Sequence, residues 1–234
     1  MLSIVSKVFT AILNKRLYAW AENEEKISKE QAGFRKGYST IDHIFTLITM
    51  VKSKLDSRRV GKVYVAFIDY KKAFDTVDRD KLWETLDKIK TSSKMVNILK
   101  AMYFSIQSCV RWGANISDFF VCPQGVKQGC LLSPLIFSLP ISEVADFVRS
   151  GKHGIQLLPG HDEIFSLLFV DDIVLVSSTP SGLQNQINSL EKASKALGLT
   201  VNLDKTKVTV FRKGGHIAAG KKMVLVWKRT RNSQ

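Results

Sequence analysis

With 234 residues, 45% of them hydrophobic and 24% charged, the chain can bury a sizeable core, and its balance excludes a largely disordered protein. Lys and Arg number 35 against 21 Asp and Glu, a formal charge of +14, which favours a polyanionic partner: nucleic acid first, acidic membranes or ribosomes after it. No apolar stretch reaches the roughly 18 residues needed to span a bilayer, so a membrane role through a spanning helix is excluded.

The first 21 residues carry Lys7, Lys15 and Arg16 and no acid, with Leu2, Val5, Phe9, Ile12 and Leu13 at helical spacing. That pattern suits either an organelle presequence or a core-packing helix, and the second is preferred because the segment runs on into the rest of the chain without a linker. Residues 63 to 68, VYVAFI, read as a strand buried on both faces. It ends at Asp69, and a carboxylate at the end of a buried strand needs a partner.

Asp78 is a reasonable N-cap for a helix with Leu82, Leu86 and Ile89 on one face; Met95, Leu99, Met102 and Ile106 form a second stripe. Residues 108 to 112 and 117 to 121, joined through Gly113 and Asn115, read as a hairpin. Ser133-Pro134 opens a helix with Pro near its first position, and Pro140 predicts a kink inside it. Residues 164 to 169 and 173 to 176 are apolar runs around Val170-Asp171-Asp172, a tight hairpin with carboxylates at its tip. A helix from about Gly182 to Leu197, stopped by Gly198, and a strand from Val208 to Phe211 complete the series. The mixture predicts an α+β fold, an antiparallel sheet with helices packed on one face, whose two acidic strand ends could meet.

The three cysteines, Cys109, Cys122 and Cys130, are odd in number and form no CxxC pair, against a disulfide framework or a zinc site and in favour of a soluble intracellular protein. His43, His153, His161 and His216 show no ligand spacing. The acids are more telling. Two ionised carboxylates about 4 Å apart repel by roughly 4 kcal/mol at an effective dielectric of 20. A hard divalent cation is the economical compensation, since Mg²⁺ takes one or two carboxylates and leaves room for phosphates and water. Two such ions would clamp an in-line phosphoryl transfer.

Specific segments carry a resemblance. FIDYKKAFD at 67 to 75, GVKQGCLLSPLI at 125 to 136 and FVDD at 169 to 172 resemble, in that order, motifs A, B and C of the reverse transcriptases of non-LTR (LINE-type) retrotransposons. QAGFRKGYSTIDHI at 31 to 44 is similar to their fingers segment, and GLTVNLDKTKVTVF at 198 to 211 to their motif D. The resemblance implies a right-hand polymerase palm at 63 to 215, with fingers-like helices inserted at about 79 to 107. It implies partial fingers at 1 to 62 and leaves 216 to 234 as a divergent tail.

It also implies roles. Asp69, Asp171 and Asp172 are expected as ligands of two Mg²⁺ ions, with Mn²⁺ as a substitute, and Phe74 as the aromatic that rejects a 2′ hydroxyl, with a plain core aromatic as its rival. Gln128 and Gly129 are expected at the nucleotide and template. Lys205, with Lys207 as competitor, is expected to protonate the leaving pyrophosphate, and Arg35 to meet a triphosphate or template phosphate, with a solvated surface arginine as its rival. Lys71, Lys72, Lys127 and the tail from Lys221 to Arg231 are assigned only generic attraction to a nucleic-acid backbone. The implied activity is RNA-directed DNA synthesis from dNTPs on a DNA primer and RNA template, in a nuclear or cytoplasmic ribonucleoprotein. Alternatives are an inactive relic that binds RNA and an RNA-dependent RNA polymerase. Val170 stands where these elements usually have Ala, and the segment after FRKGG does not resemble the primer-gripping hairpin and helical thumb, so weak, poorly processive synthesis is expected.

Overall fold

The computed structural model describes residues 3–56, 61–151, 153–157 and 162–213; the tail assigned to 216–234 lies outside the described residues. Its elements in chain order begin with helices α1 (Ile4–Asn23) and α2 (Thr40–Asp56), strand β1 (Lys62–Ile68) and helices α3 (Ala73–Thr76), α4 (Arg79–Lys88) and α5 (Ser93–Tyr103). Short strands β2 (Gln107–Ser108), β3 (Arg111–Trp112), β4 (Asn115–Ile116) and β5 (Phe120–Val121) lead to α6 (Ser133–Arg149) and to β6 (Ile155–Gln156) and β7 (Glu163–Ile164). Then come β8 (Ser166–Phe169), β9 (Asp172–Ser177), α7 (Pro180–Ala196) and β10 (Lys207–Arg212).

The central sheet has the order β10-β1-β9-β8, antiparallel throughout. β1 lies inside it, and Val63, Val65, Ala66 and Ile68 are buried, as the apolar run predicts. One face, through Ala66, Ile68, Leu168, Ile173 and Leu175, joins the large core built with α4, α5, α6 and α7. The opposite face is covered at one end only, where Met50 of α2 packs on Val63, Val65 and Val176. Helices on one face is therefore the main arrangement, with α2 an addition to it.

Local chemistry sets the helix ends. Asp78 caps α4, its carboxylate accepting from the Asp80 and Lys81 amides, which satisfies donors that have no partner within the helix. Thr179 caps α7 with Pro180 beside it, so that helix opens two residues ahead of the expected Gly182. α6 is assigned as one helix through Pro140. The predicted hairpin at 108–121 forms in two pieces, β2 on β5 and β3 on β4, whose registers differ by one residue, as at a bulge.

α1 departs from its predicted face. Leu13 and Leu17 are buried with Thr10 and Ala21, whereas Val5, Phe9 and Ile12 are exposed. The helix is apolar on more than one side, and its first turns extend past the core, so spacing alone picks the wrong stripe.

The segment between α1 and α2 is joined to α6 by charge. Arg149 pairs with Glu30, which also accepts from the Ser28 hydroxyl. Burial raises the Glu30 carboxyl, but the Arg149 and Ser28 hydrogen bonds outweigh it and the net direction is down. A lowered carboxyl contributes stability above its unfolded-state pKa, and that contribution disappears as pH falls through the folded-state value. Glu30→Gln is expected to cost about 2 kcal/mol at neutral pH, with the difference from wild type vanishing in acid. Chemical denaturation across pH 2 to 7 checks this, and a constant difference would contradict it.

Candidate active site

Three carboxylates reach one end of the sheet. β1 pairs Ile68 with Ile173 of β9, so the next residue, Asp69, falls opposite Asp172, with Cα atoms about 4.5 to 5.5 Å apart. Opposed residues share a face, here the one that α2 covers farther along the strands. Asp171 lies in the two-residue turn between β8 and β9; Asp172 is already the first residue of β9 and pairs with Phe169. The expected tip therefore holds one acid, with the second a step down the strand.

Their electrostatics are those of a site short of positive charge. Burial pushes the Asp171 carboxyl above the usual range, and Asp172 and Asp69 push it further. Burial and then Asp69 raise Asp172, while Lys205 pulls it back. Oδ2 of Asp69 is buried without a hydrogen-bond partner, and Oδ1 lies 4.0 Å from the Lys205 ammonium. Hard oxygen donors, an orphaned carboxylate oxygen and mutual repulsion fit a divalent cation. Among the described residues no three His, Cys, Asp or Glu side chains, these acids included, are arranged to hold a metal ion as they stand.

Backbone pairing brings Lys205 there. The Asn202 amide donates to the Asp69 carbonyl at 2.7 Å, the Asp69 amide to Thr206 Oγ1 at 3.3 Å, and the Lys71 amide to the Thr200 carbonyl at 2.8 Å. Lys205 is 70% exposed, free to reach over the acids. Its competitor Lys207 donates to the Asp204 carbonyl at 2.7 Å.

Phe74 is half-buried and stacks on Phe137, centroids 4.6 Å apart and planes at 22°. Its other side lines a cavity of about 270 Å³ shared with Phe34, Gln128 and Gly129. It is thus both a core-packing ring and a wall. Phe74→Val is expected to relax discrimination between deoxy- and ribonucleotides by roughly 10- to 100-fold; paired dNTP and NTP incorporation measurements check it, and an unchanged ratio would leave Phe74 a core residue only. Gln128 donates to Asp75 Oδ1 at 2.7 Å. Gly129 has φ +76° with open space where a Cβ would stand, so backbone conformation, not crowding, asks for glycine there. A larger cavity of about 890 Å³ is lined by residues of the 105–128 stretch with Asp75 and Arg79, and not by Asp69, Asp171 or Asp172.

Arg35 is a correction. Its Nε and Nη2 each donate to Glu22 at 2.8 Å, Nη1 donates to the Ser28 carbonyl at 3.1 Å, and the guanidinium lies 4.5 Å from the Tyr38 ring centre. With its fork committed and 11% of the side chain exposed, it ties α1 to the segment that follows it and is not presented to a phosphate. Lys127 likewise donates to the Met102 carbonyl, whereas Lys71 and Lys72 are exposed. His43 bonds the Leu168 carbonyl and His153 meets Asn185, both structural. Sequence reasoning missed Gln31, whose buried amide grips the Val170 backbone; an uncharged residue in a polar segment gives no compositional signal.

Known proteins share the sequence and the fold of this chain. A family profile described as reverse transcriptase (RNA-dependent DNA polymerase) matches residues 1–230. The chain is 26% identical over 215 residues to a Retrovirus-related Pol polyprotein from type-1 retrotransposable element R2 of Popillia japonica, covering 91% of this chain and 29% of that protein. It is 29% identical over 203 residues to the type-2 element R2DM polyprotein of Drosophila melanogaster, covering 87% of this chain and 18% of that one. The chain therefore spans less than a third of these curated relatives. Telomerase of Candida tropicalis, truncated from its C-terminal domain, superposes with a TM-score of 0.62 at 18% identity, over 88% of this chain and 40% of that one; this likeness is one of fold.

Proposed function

The chain belongs to the reverse transcriptase family, and we propose that its acidic sheet end catalyses RNA-directed DNA synthesis, adding dNTPs to a primer 3′ hydroxyl on an RNA template. The observation that carries this reading is the opposition of Asp69 and Asp172 across β1 and β9, with Asp171 in the adjoining turn. In this reading residues 1–62 act as partial fingers and 63–215 as palm.

Reverse transcriptases use divalent metal ions. Asp69, Asp171 and Asp172 would hold two, Mg²⁺ or Mn²⁺, and these when bound supply Lewis acidity to the 3′ hydroxyl and positive charge to the departing pyrophosphate. The chain's own residues do the rest. Phe74, backed by Phe137, walls the sugar side of the nucleotide. Gln128, held by Asp75, and Gly129 border the same space. Lys205 Nζ acts as general acid toward the pyrophosphate oxygen, a role that needs a mobile, protonated donor near the acids. The +14 charge favours the RNA template and DNA primer through their phosphates, an attraction that weakens with salt. Among the described residues no helix is long and apolar enough to cross a membrane.

The test is primer extension on an RNA template with Mg²⁺, comparing the chain with Asp171→Ala. Template-dependent dNTP incorporation that the substitution abolishes is the expected result. Equal incorporation by both would remove the active-site assignment, incorporation of NTPs in place of dNTPs would favour RNA synthesis, and RNA binding without incorporation by either would leave a binding relic.

A further inference from the structure

The turn that carries Asp171 has an unfavourable backbone. Val170 has φ +62°, and a β-branched residue in that region is a genuine outlier, a strained conformation. Such a conformation persists only where its surroundings hold it. Here they can be named.

Gln31 is fully buried. Its Oε1 accepts from the Val170 amide at 2.9 Å and from the Gly33 amide at 2.8 Å, while its Nε2 donates to the Val170 carbonyl at 3.4 Å. Two backbone N–H groups aimed at one atom fix that atom as the oxygen, so the amide's orientation is determined. One side chain thus holds both polar groups of the strained residue. The segment is itself anchored to the sheet: the Leu168 amide donates to the Glu30 carbonyl and the Ala32 amide to the Leu168 carbonyl, each at 2.9 Å. A Cβ on Gly33 would stand 2.5 Å from the Val170 amide nitrogen, so the loop lies as close to the turn as a residue without a side chain allows.

We propose that Gln31 is a positioning residue: from the fingers segment it clamps Val170 in the left-handed conformation and thereby sets where Asp171 and Asp172 stand. This rests on the polymerase reading above. The side-chain hydrogen bonds of Gln31 go to the Val170 and Gly33 backbone and not to the acids, so it acts through the turn. Without the clamp Val170 relaxes toward negative φ, and the acid beside it moves. Misplacement by about 1 Å can cost roughly 100-fold in rate.

Gln31→Met in the full chain removes the amide and keeps the volume. Gln186→Met is the control, because Gln186 is equally buried and donates to the Val176 and His153 carbonyls away from the turn. For Gln31→Met the expected result is amide exchange at Val170 faster by roughly 10-fold or more against an unchanged Leu175. The kcat for dNTP incorporation falls by roughly 10- to 100-fold with little change in KM. Val170→Gly placed in the Gln31→Met background restores part of kcat, since glycine adopts positive φ without penalty, whereas Gln186→Met loses a similar amount in Tm and keeps its kcat. Unchanged Val170 exchange in Gln31→Met overturns the proposal, as does an equal loss of kcat in Gln186→Met at matched Tm. If the wild-type chain incorporates no nucleotide, the polymerase reading fails by itself, and the Val170 exchange rate still decides whether the clamp exists.

Discussion

Asp171→Asn is expected to lower nucleotide incorporation by roughly three orders of magnitude or more and to make the metal-free protein more stable. The activity loss follows if Asp171 is a ligand of the catalytic cations, because phosphoryl transfer is almost entirely positioning and charge stabilisation, with little else to carry the rate. The stability gain has a separate cause. Burial, then Asp172 and Asp69, hold the Asp171 carboxyl above its ordinary value, so its ionised form at neutral pH works against folding. An amide of the same shape removes that cost, so the Tm of the metal-free variant should lie above that of the wild type. Adding Mg²⁺ should raise the Tm of the wild-type chain and raise that of Asp171→Asn less, since a ligand bound only to the folded state stabilises it. Asp172→Asn should behave alike in direction, with a smaller gain because Lys205 already offsets part of the repulsion. Thermal melts with and without Mg²⁺, run beside primer extension, give both quantities. A variant that loses activity together with stability would mean that Asp171 is a structural residue.

What could be read from the sequence was whatever lies in short segments with a strong local cause. The buried strand before Asp69, the Asp78 cap, the α7 stripe of Leu183, Ile187 and Leu190, and the Gly198 stop all depend on residues within a few positions of each other, and all appear as expected. The convergence of Asp69 with Asp171 and Asp172 was legible only because three motifs stood in family order; neither strand alone specifies its neighbour. What failed depended on tertiary partners. Arg35 carries nothing that distinguishes a phosphate-seeking arginine from one paired with Glu22, thirteen residues earlier in the chain. α2 went unread in the sequence, and its exposed Ile41, Ile44, Phe45 and Ile48 beside a buried Met50 show that apolar residues on a helix do not by themselves say which of them meets the core. Gln31 was hidden for the same reason, its partner being the Val170 backbone far along the chain.

Phe137→Ala is expected to destabilise the fold by about 3 to 5 kcal/mol, the usual range for removing a buried phenylalanine. Phe137 is 1% exposed within α6, a helix with buried residues along nearly its whole length, so the space it leaves has few mobile neighbours to fill it. Since domain stabilities are commonly about 5 to 15 kcal/mol, much of the total is at stake. The effect should reach the site as well. Phe74 rests on Phe137, and without that ring the wall of the 270 Å³ cavity loses its backing, so KM for dNTPs should rise in whatever fraction remains folded. Phe137→Leu separates the two effects, because it keeps most of the volume and removes the stacked face: it should cost no more than about 1.5 kcal/mol yet still loosen nucleotide binding. Urea denaturation and steady-state kinetics of both variants decide the matter. If Phe137→Leu binds dNTPs as the wild type does, the stacked pair serves packing alone and Phe74 needs no backing to hold its place.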